Sequence, residues 1–184
     1  MGVRRTSPAF RLLALAGALL ACSLLLGACG SSSDQKSVKE GQAAELGGLR
    51  YNTVFSRYLN ANDPEDAAYL VGQPKAKPGE LYLGVFLQVK NIGNKTSTLP
   101  SVFTVTDTEG ELYTSLPSTS EFAFPTGTKL EDDRIVPDPD SPAGSGPIQG
   151  SLVLFRVPDS ANENRPLTLM IPGPGGPAEV ELDI

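Results

Sequence analysis

Leu81-Tyr82-Leu83-Gly84-Val85-Phe86-Leu87-Gln88-Val89 is the stretch that decides the fold. Leu81, Leu83, Val85, Leu87 and Val89 alternate with Tyr82, Gly84, Phe86, Gln88 and Lys90. A period of two sends alternate side chains to opposite faces of a strand, so one face here is wholly aliphatic. Such a face belongs against a second sheet. Asn91-Ile92-Gly93-Asn94 then closes the strand with turn residues.

The same period recurs outward from this strand. Val102 to Thr106 is a β-branched run, Asp107-Thr108-Glu109-Gly110 is a hairpin turn, and Glu111 to Thr114 begins the return. Ser151 to Val157 places Leu152 and Leu154 on one face, with Val153, Phe155 and Val157 on the other. Leu167, Leu169 and Ile171 alternate with Thr168 and Met170. At the carboxyl end Ala178, Val180, Leu182 and Ile184 face away from Glu179, Glu181 and Asp183. Leu49 to Leu59 reads as the first strand, with Tyr51 and Phe55 as core candidates. One short helix is expected: Asp63 as N-cap, Pro64 at the first helical position, Glu65 and Asp66 suiting the dipole, and Gly72 ending it. Six to eight short strands at this spacing predict an all-β, antiparallel sandwich.

Composition removes whole classes of chemistry. The chain has no histidine and no tryptophan, and its two cysteines are Cys22 and Cys29. A Ser-His-Asp or Cys-His catalytic site needs a histidine. Zinc and copper sites lack their usual soft ligands. No cofactor is expected.

The amino-terminal segment resembles a bacterial lipoprotein signal. Arg4, Arg5 and Arg11 form a basic region, Leu12 to Leu26 is a 15-residue apolar run, and Leu26-Gly27-Ala28-Cys29 ends it. A run of that length is short of the roughly 20 apolar residues of a membrane span. The resemblance implies diacylglyceryl transfer to the Cys29 sulfur, cleavage between Ala28 and Cys29, and acylation of the new amine. An ordinary signal peptide or an uncleaved anchor is the plainer alternative. Two acyl chains anchor stably where one does not. Residues 1–28 are therefore set aside as signal. The 156 that remain have a side-chain balance of −9, which disfavours both nucleic acid and anionic lipid headgroups as partners. The small, polar residues that follow, 29–48, read as a flexible tether. They would hold the domain on the order of 25 Å from the membrane, and roughly 65 Å at full stretch. The folded domain is expected over 49–184.

Three motifs carry a second resemblance. Phe86-Leu87-Gln88-Val89-Lys90-Asn91 ends a strand with an aliphatic-x-Val-x-Asn pattern. Phe103 to Gly110 is an apolar strand running into an Asp-x-x-Gly turn, and Gly150 to Pro158 is an aliphatic strand ending in Val-Pro. In this order, and followed by a final strand pair, they resemble the telokin-like, immunoglobulin-fold domain of bacterial lipoproteins. The likeness covers Leu49 to Ile184. It implies an immunoglobulin-like β-sandwich and supplies no catalytic residues. The stretches Asn62–Gly79 and Pro137–Pro147 are longer than a minimal member needs.

Candidate sites are weak. Glu131, Asp132, Asp133, Asp138 and Asp140 cluster, and carboxylates suit calcium. Asp132, Asp133, Asp138 and Asp140 are thus the metal candidates, although the spacing is no EF-hand loop and solvated turns explain it as well. Asn60, Asn62, Asp63 and Asp66 read better as helix capping. Phe122 and Phe124, inside the Ser/Thr-rich stretch Thr114–Thr128, suit either a ligand-facing loop or a strand edge pinned to the core. Gly173-Pro174-Gly175-Gly176 is a hairpin loop, since no lysine and no helix follow as a phosphate cradle requires. Asn94-Lys95-Thr96 fits a glycosylation sequon with no role in a bacterial lipoprotein.

The sequence therefore predicts a non-enzymatic binding or interaction module. It would be lipid-anchored through Cys29 at the outer face of the bacterial plasma membrane. Its partner would be an envelope protein, a polymer or a small ligand, met first at the Asn62–Gly79 and Thr119–Gly150 loops. A carboxylate-based envelope hydrolase and a calcium-stabilised structural spacer are the alternatives.

Overall fold

The computed structural model describes residues 36–184, together with Gly2. Cys29, Ala28 and the rest of the expected signal lie outside the described residues.

Two sheets pack face to face. One has the order β1 (Ser37–Lys39), β12 (Ala178–Glu181), β11 (Thr168–Ile171), β6 (Thr104–Thr106) and β7 (Leu112–Thr114). The other runs β10 (Ser151–Pro158), β4 (Glu80–Asn91), β3 (Leu49–Leu59) and β2 (Ala43–Leu46), with β9 (Ile135–Val136) pairing β4 beyond the end of β10. A small pair, β5 (Ser97–Thr98) and β8 (Lys129–Leu130), lies outside both. Helix α1 is Pro64–Tyr69, α2 is Pro142–Ser145, and a 3-10 turn spans Asp159–Asn162.

The central strand is where the alternation placed it. Leu83, Val85, Leu87 and Val89 of β4 are completely buried between the sheets, against Phe103, Val105, Phe155, Leu169 and Ile171. Burial at this depth contributes roughly 1.5–3 kcal/mol per side chain. The other face of β4 is buried as well. Tyr82 and Phe86 join Leu59, Tyr69, Leu70, Leu152 and Leu154 in a second cluster on the outer side of the sheet. Gly84 sits between them because a side chain there would meet Leu59 and Leu152 at 3.1 Å. The two faces of β10 divide as its sequence predicts: Leu152 and Leu154 in the outer cluster, Val153, Phe155 and Val157 in the inner one.

Five expectations are corrected. Residues 36–48 are not tether: β1 and β2 occupy most of them and bury Val38, Ala44 and Leu46. Strands of three and four residues are too short to display a period, and Ala43, Ala44 and Glu45 have weak strand propensity. A tertiary contact holds this corner. The Glu40 carboxylate accepts the Ser56 amide at 2.9 Å, the Asp183 amide at 3.1 Å and the Ser56 hydroxyl.

The strand Leu49–Leu59 has the expected bounds but is third in order. Tyr51 is buried, while Phe55 is 41% exposed. Thr53 follows Tyr51 inward in regular alternation, and a β-bulge between Thr53 and Phe55 then shifts it, so Ser56 turns inward in place of Phe55.

The sandwich is not wholly antiparallel, because β1 runs parallel to β12. Nor does it have one helix. Ser141 and Pro142 repeat the capping grammar of Asp63 and Pro64 inside the proline-rich loop, which gives α2.

Candidate functional site

Two irregular segments form a layer over the outer face of β4, and each walls a depression. The first segment follows β3. Asp63 caps α1 by accepting the amides of Glu65 at 2.9 Å and Asp66 at 3.2 Å. Arg57, on β3, reaches across to α1. Its guanidinium pairs with Asp66 and with Glu65 at 3.1 Å, and lies 5.9 Å from the centre of the Tyr69 ring. The second oxygen of Asp66 accepts the Asn60 amide at 2.8 Å, which closes the turn from strand to helix. Tyr69 then meets Phe86 and Phe122 edge-on, with ring centres 5.0 and 4.9 Å away. Burial raises the Tyr69 phenol above its ordinary value.

The second segment, 115–150, is stitched to the first. Ser120 donates to the Ala68 carbonyl at 2.8 Å, and the Gln73 amide donates to Pro117 at 2.7 Å. It also covers the free edge of β10: Leu116 donates to Leu154 at 2.7 Å, and Phe124 to Leu152 at 2.8 Å. An uncovered strand edge invites pairing with another chain, so this cover is protective. The Phe122–Phe124 pair straddles that edge. Phe122 packs in the outer cluster and Phe124 in the inner core, where it meets Phe103 edge-on at 5.1 Å.

The first depression, 530 Å³, lies between α1 and the start of β4. Leu59, Leu70, Ala76 and Tyr82 supply apolar walls; Asn60 and Asn62 supply amides, and Lys75 and Glu80 supply one charge of each sign. Tyr82 is fixed by donating to the Pro74 carbonyl at 2.6 Å. The second depression, 510 Å³, lies beside β9 and α2. Charge lines it: Glu121, Glu131 and Asp138 with Lys129 and Arg134. Both volumes suit a small ligand or a short chain segment.

The acidic cluster does not converge. Asp132, Asp133, Asp138 and Asp140 are all exposed. Asp133 pairs with Lys90 at 2.8 Å, and that cation holds its carboxyl below the ordinary value. Asp138 faces Arg134 at 3.8 Å and accepts the Asp140 amide at 3.0 Å. Among the described residues, no three of His, Cys, Asp or Glu gather into a group that would hold a metal. Asn60, Asp63 and Asp66 serve the turn and cap of α1, as their spacing suggests.

Sequence reasoning missed Arg57 and the bond from Tyr113 to Asp107, and it read Asn91 as a turn residue without its contacts. Asn91 is buried at the end of β4 and donates to the Lys95 and Leu130 carbonyls at 2.8 and 2.9 Å, pinning the next turn. The signal for it was present: an asparagine closing an apolar strand, one residue before a glycine turn.

No protein-family model and no curated protein matches the chain. Solved structures similar at low identity include the following three. An uncharacterized beta-sandwich protein from Clostridium difficile 630 is 12% identical, with a TM-score of 0.48, over 84% of this chain and 99% of its own. The yjhA protein from Bacillus subtilis is 14% identical, with a TM-score of 0.49, over 79% and 98%. A functionally unknown protein from Listeria monocytogenes EGD-e is 8% identical, with a TM-score of 0.44, over 74% and 71%. The chain's own geometry establishes a β-sandwich domain of mixed strand direction with minor helical content, and two walled depressions over one of its sheets.

Proposed function

We propose that this chain is an envelope lipoprotein, anchored through Cys29 to the outer face of the bacterial plasma membrane. Its sandwich, of the immunoglobulin-like, telokin-like type, acts as a non-enzymatic binding module. The motifs behind that likeness sit on β4, on the β6–β7 hairpin and on β10. One observation carries the binding reading. The two longest irregular segments are ordered against the outside of a filled sandwich, and each walls a depression of about 500 Å³. Rigid scaffolds with long ordered loops place recognition in those loops. The depression between α1 and β4 is the better ligand site, because apolar walls with a few amides fix orientation, and two charged residues, Lys75 and Glu80, line it against five in the other.

The test is photo-crosslinking in intact cells. A crosslinking side chain at Asn62 or Ala76 is expected to capture a discrete partner that the same probe at Glu181 does not. Equal yields at all three positions would sink the reading. For the anchor, Cys29→Ala should lose palmitate label and membrane retention. The hydrolase alternative has its acids in the second depression, and it predicts a carboxylate-dependent activity abolished by Glu131→Gln or Asp138→Asn.

A further inference from the structure

The sandwich has two ends of opposite character, and the chain comes in at one of them. Lys36 leads into β1, and its backbone carbonyl accepts the Glu179 amide at the start of β12. Its ammonium donates to the Gly175 carbonyl at 2.7 Å. The β11–β12 loop 172–177, the β2–β3 turn at Gly47 and the segment 97–100 meet there around one small cavity. Gly127 donates to the Pro100 carbonyl at 3.1 Å and adds the loop 125–129.

The segments 47–48, 92–102, 125–129 and 172–177 contain no carboxylate. With Lys36 they carry three cations, the others being Lys95 and Lys129, both exposed. The acidic turn Glu131–Asp133 flanks this end, but Lys90 and Arg134 lie beside it. The opposite end is built from 60–79, 107–111, 159–166 and 182–184. These hold nine carboxylates against three cations. The lysine-bearing end also exposes apolar surface. Val102 is 49% exposed and Ile92 39%. A 580 Å³ depression there is walled by Val102, Met170, Pro172 and Pro177.

We infer that this end docks on an anionic bilayer surface, which sets the acidic end and the α1 depression facing away from the membrane. The inference rests on the anchoring read at Cys29. Only six residues, 30–35, lie between Cys29 and Lys36, and the seven steps of chain span at most about 25 Å. The whole domain is acidic and a negative surface repels it at long range, but within that radius the separation of charge decides: the end bearing lysines is attracted and the end bearing carboxylates is repelled. Exposed Val102 and Ile92 suit the boundary between headgroup and acyl chain.

The test uses the mature chain, 29–184, in which Cys29 is the single thiol. It is coupled through that thiol to maleimide lipid in vesicles of phosphatidylcholine with one quarter phosphatidylglycerol. Hydrogen exchange is then read by segment. Exchange should slow at least fivefold in 92–102 and 125–129 and stay unchanged in 107–111. A variant carrying both Lys95→Glu and Lys129→Glu should lose the protection while β4 remains protected, which shows that it folds. Each lysine is expected to contribute about fivefold in surface partition. Equal exchange at both ends, or slowing confined to 107–111, overturns the docking. The anchoring is judged separately, by the intact mass of the protein from its own membrane. Absence of diacylglycerol on Cys29 would overturn the anchor reading, and the coupled vesicles would still decide the docking.

Discussion

Tyr113 donates its hydroxyl proton to the Asp107 carboxylate at 2.9 Å, across the hairpin that joins β6 to β7. The same carboxylate accepts the Glu109 and Glu111 amides, both at 3.0 Å, and Gly110 takes φ +86° to close the turn. Burial opposes ionisation of Asp107. The Tyr113 hydroxyl, the two amides and Asn164 outweigh it, and the carboxyl is held below its ordinary value.

A carboxyl with a lowered folded value stabilises the fold above its ordinary value and loses that contribution as pH falls through the folded one. Asp107→Asn should therefore cost about 1–3 kcal/mol at neutral pH. It should cost progressively less below pH 4. Denaturant midpoints across the acid range check this. A loss that stays constant with pH would contradict it.

Tyr113 titrates in the opposite sense. Burial, then the Asp107 bond, push its phenol from 10.0 up to about 12. Its contribution is complete below pH 10 and is lost as pH rises toward 12. Tyr113→Phe should flatten that part of the alkaline loss, as read by melts between pH 9 and 12.

Asp66 closes the first segment from three sides: Arg57, the Asn60 amide and the cap of α1. Removing one partner of a largely buried pair leaves the other uncompensated. Asp66→Ala should cost about 3 kcal/mol and raise exchange throughout α1. Lys39→Ala breaks a pair that is 71% exposed on the lysine side and should leave the denaturant midpoint nearly unchanged. The contrast is measured by urea unfolding.

Residues 36–48 distinguish strand from tether. A chain beginning at residue 49 would leave β3 without its neighbour and expose the core beside Leu46. It should melt many degrees below one beginning at residue 29. Glu40→Ala, which removes three hydrogen bonds to the same corner, should cost about 2–3 kcal/mol. Equal melting temperatures for the two chain lengths would restore the tether.

Gly144 marks the tightest place in the proline-rich loop. A methyl group there would stand 2.1 Å from the Asp138 carbonyl oxygen. Gly144→Ala should displace the α2 segment and open the depression beside β9, at a cost of about 1–3 kcal/mol. Hydrogen exchange over 137–147 reads the displacement, with β4 as the unaffected reference.

The sandwich was legible wherever a strand was long enough to show its period. Leu83 to Val89 and the two faces of β10 read correctly because eight or more residues alternate without a break. Helix α1 was legible from chemistry alone, since Asp63 and Pro64 are a start signal that needs no tertiary contact. Phe55 misled because a bulge has no marker in its own sequence; the partner strand decides it. The covering layer was hidden for a related reason. Tyr82 and Phe86 occupy the face that a two-sheet reading gives to solvent, and only the packing of Tyr69 and Phe122 upon them reveals otherwise. Loop length did point to both depressions. Arg57 carried no such sign, because an arginine on a strand reads as solvated until its carboxylates arrive from another element.

The parallel pairing of β1 with β12 sets how this protein bears mechanical load. Lys36 begins one strand and the carboxyl-terminal segment leaves the other, so a pull applied between residues 36 and 184 draws these neighbours past one another lengthwise. Their backbone hydrogen bonds, from Lys36–Glu179 to Glu40–Glu181, then share the strain together instead of opening one at a time. A pull between the two ends of the domain is thereby met in shear, with the bonds loaded side by side.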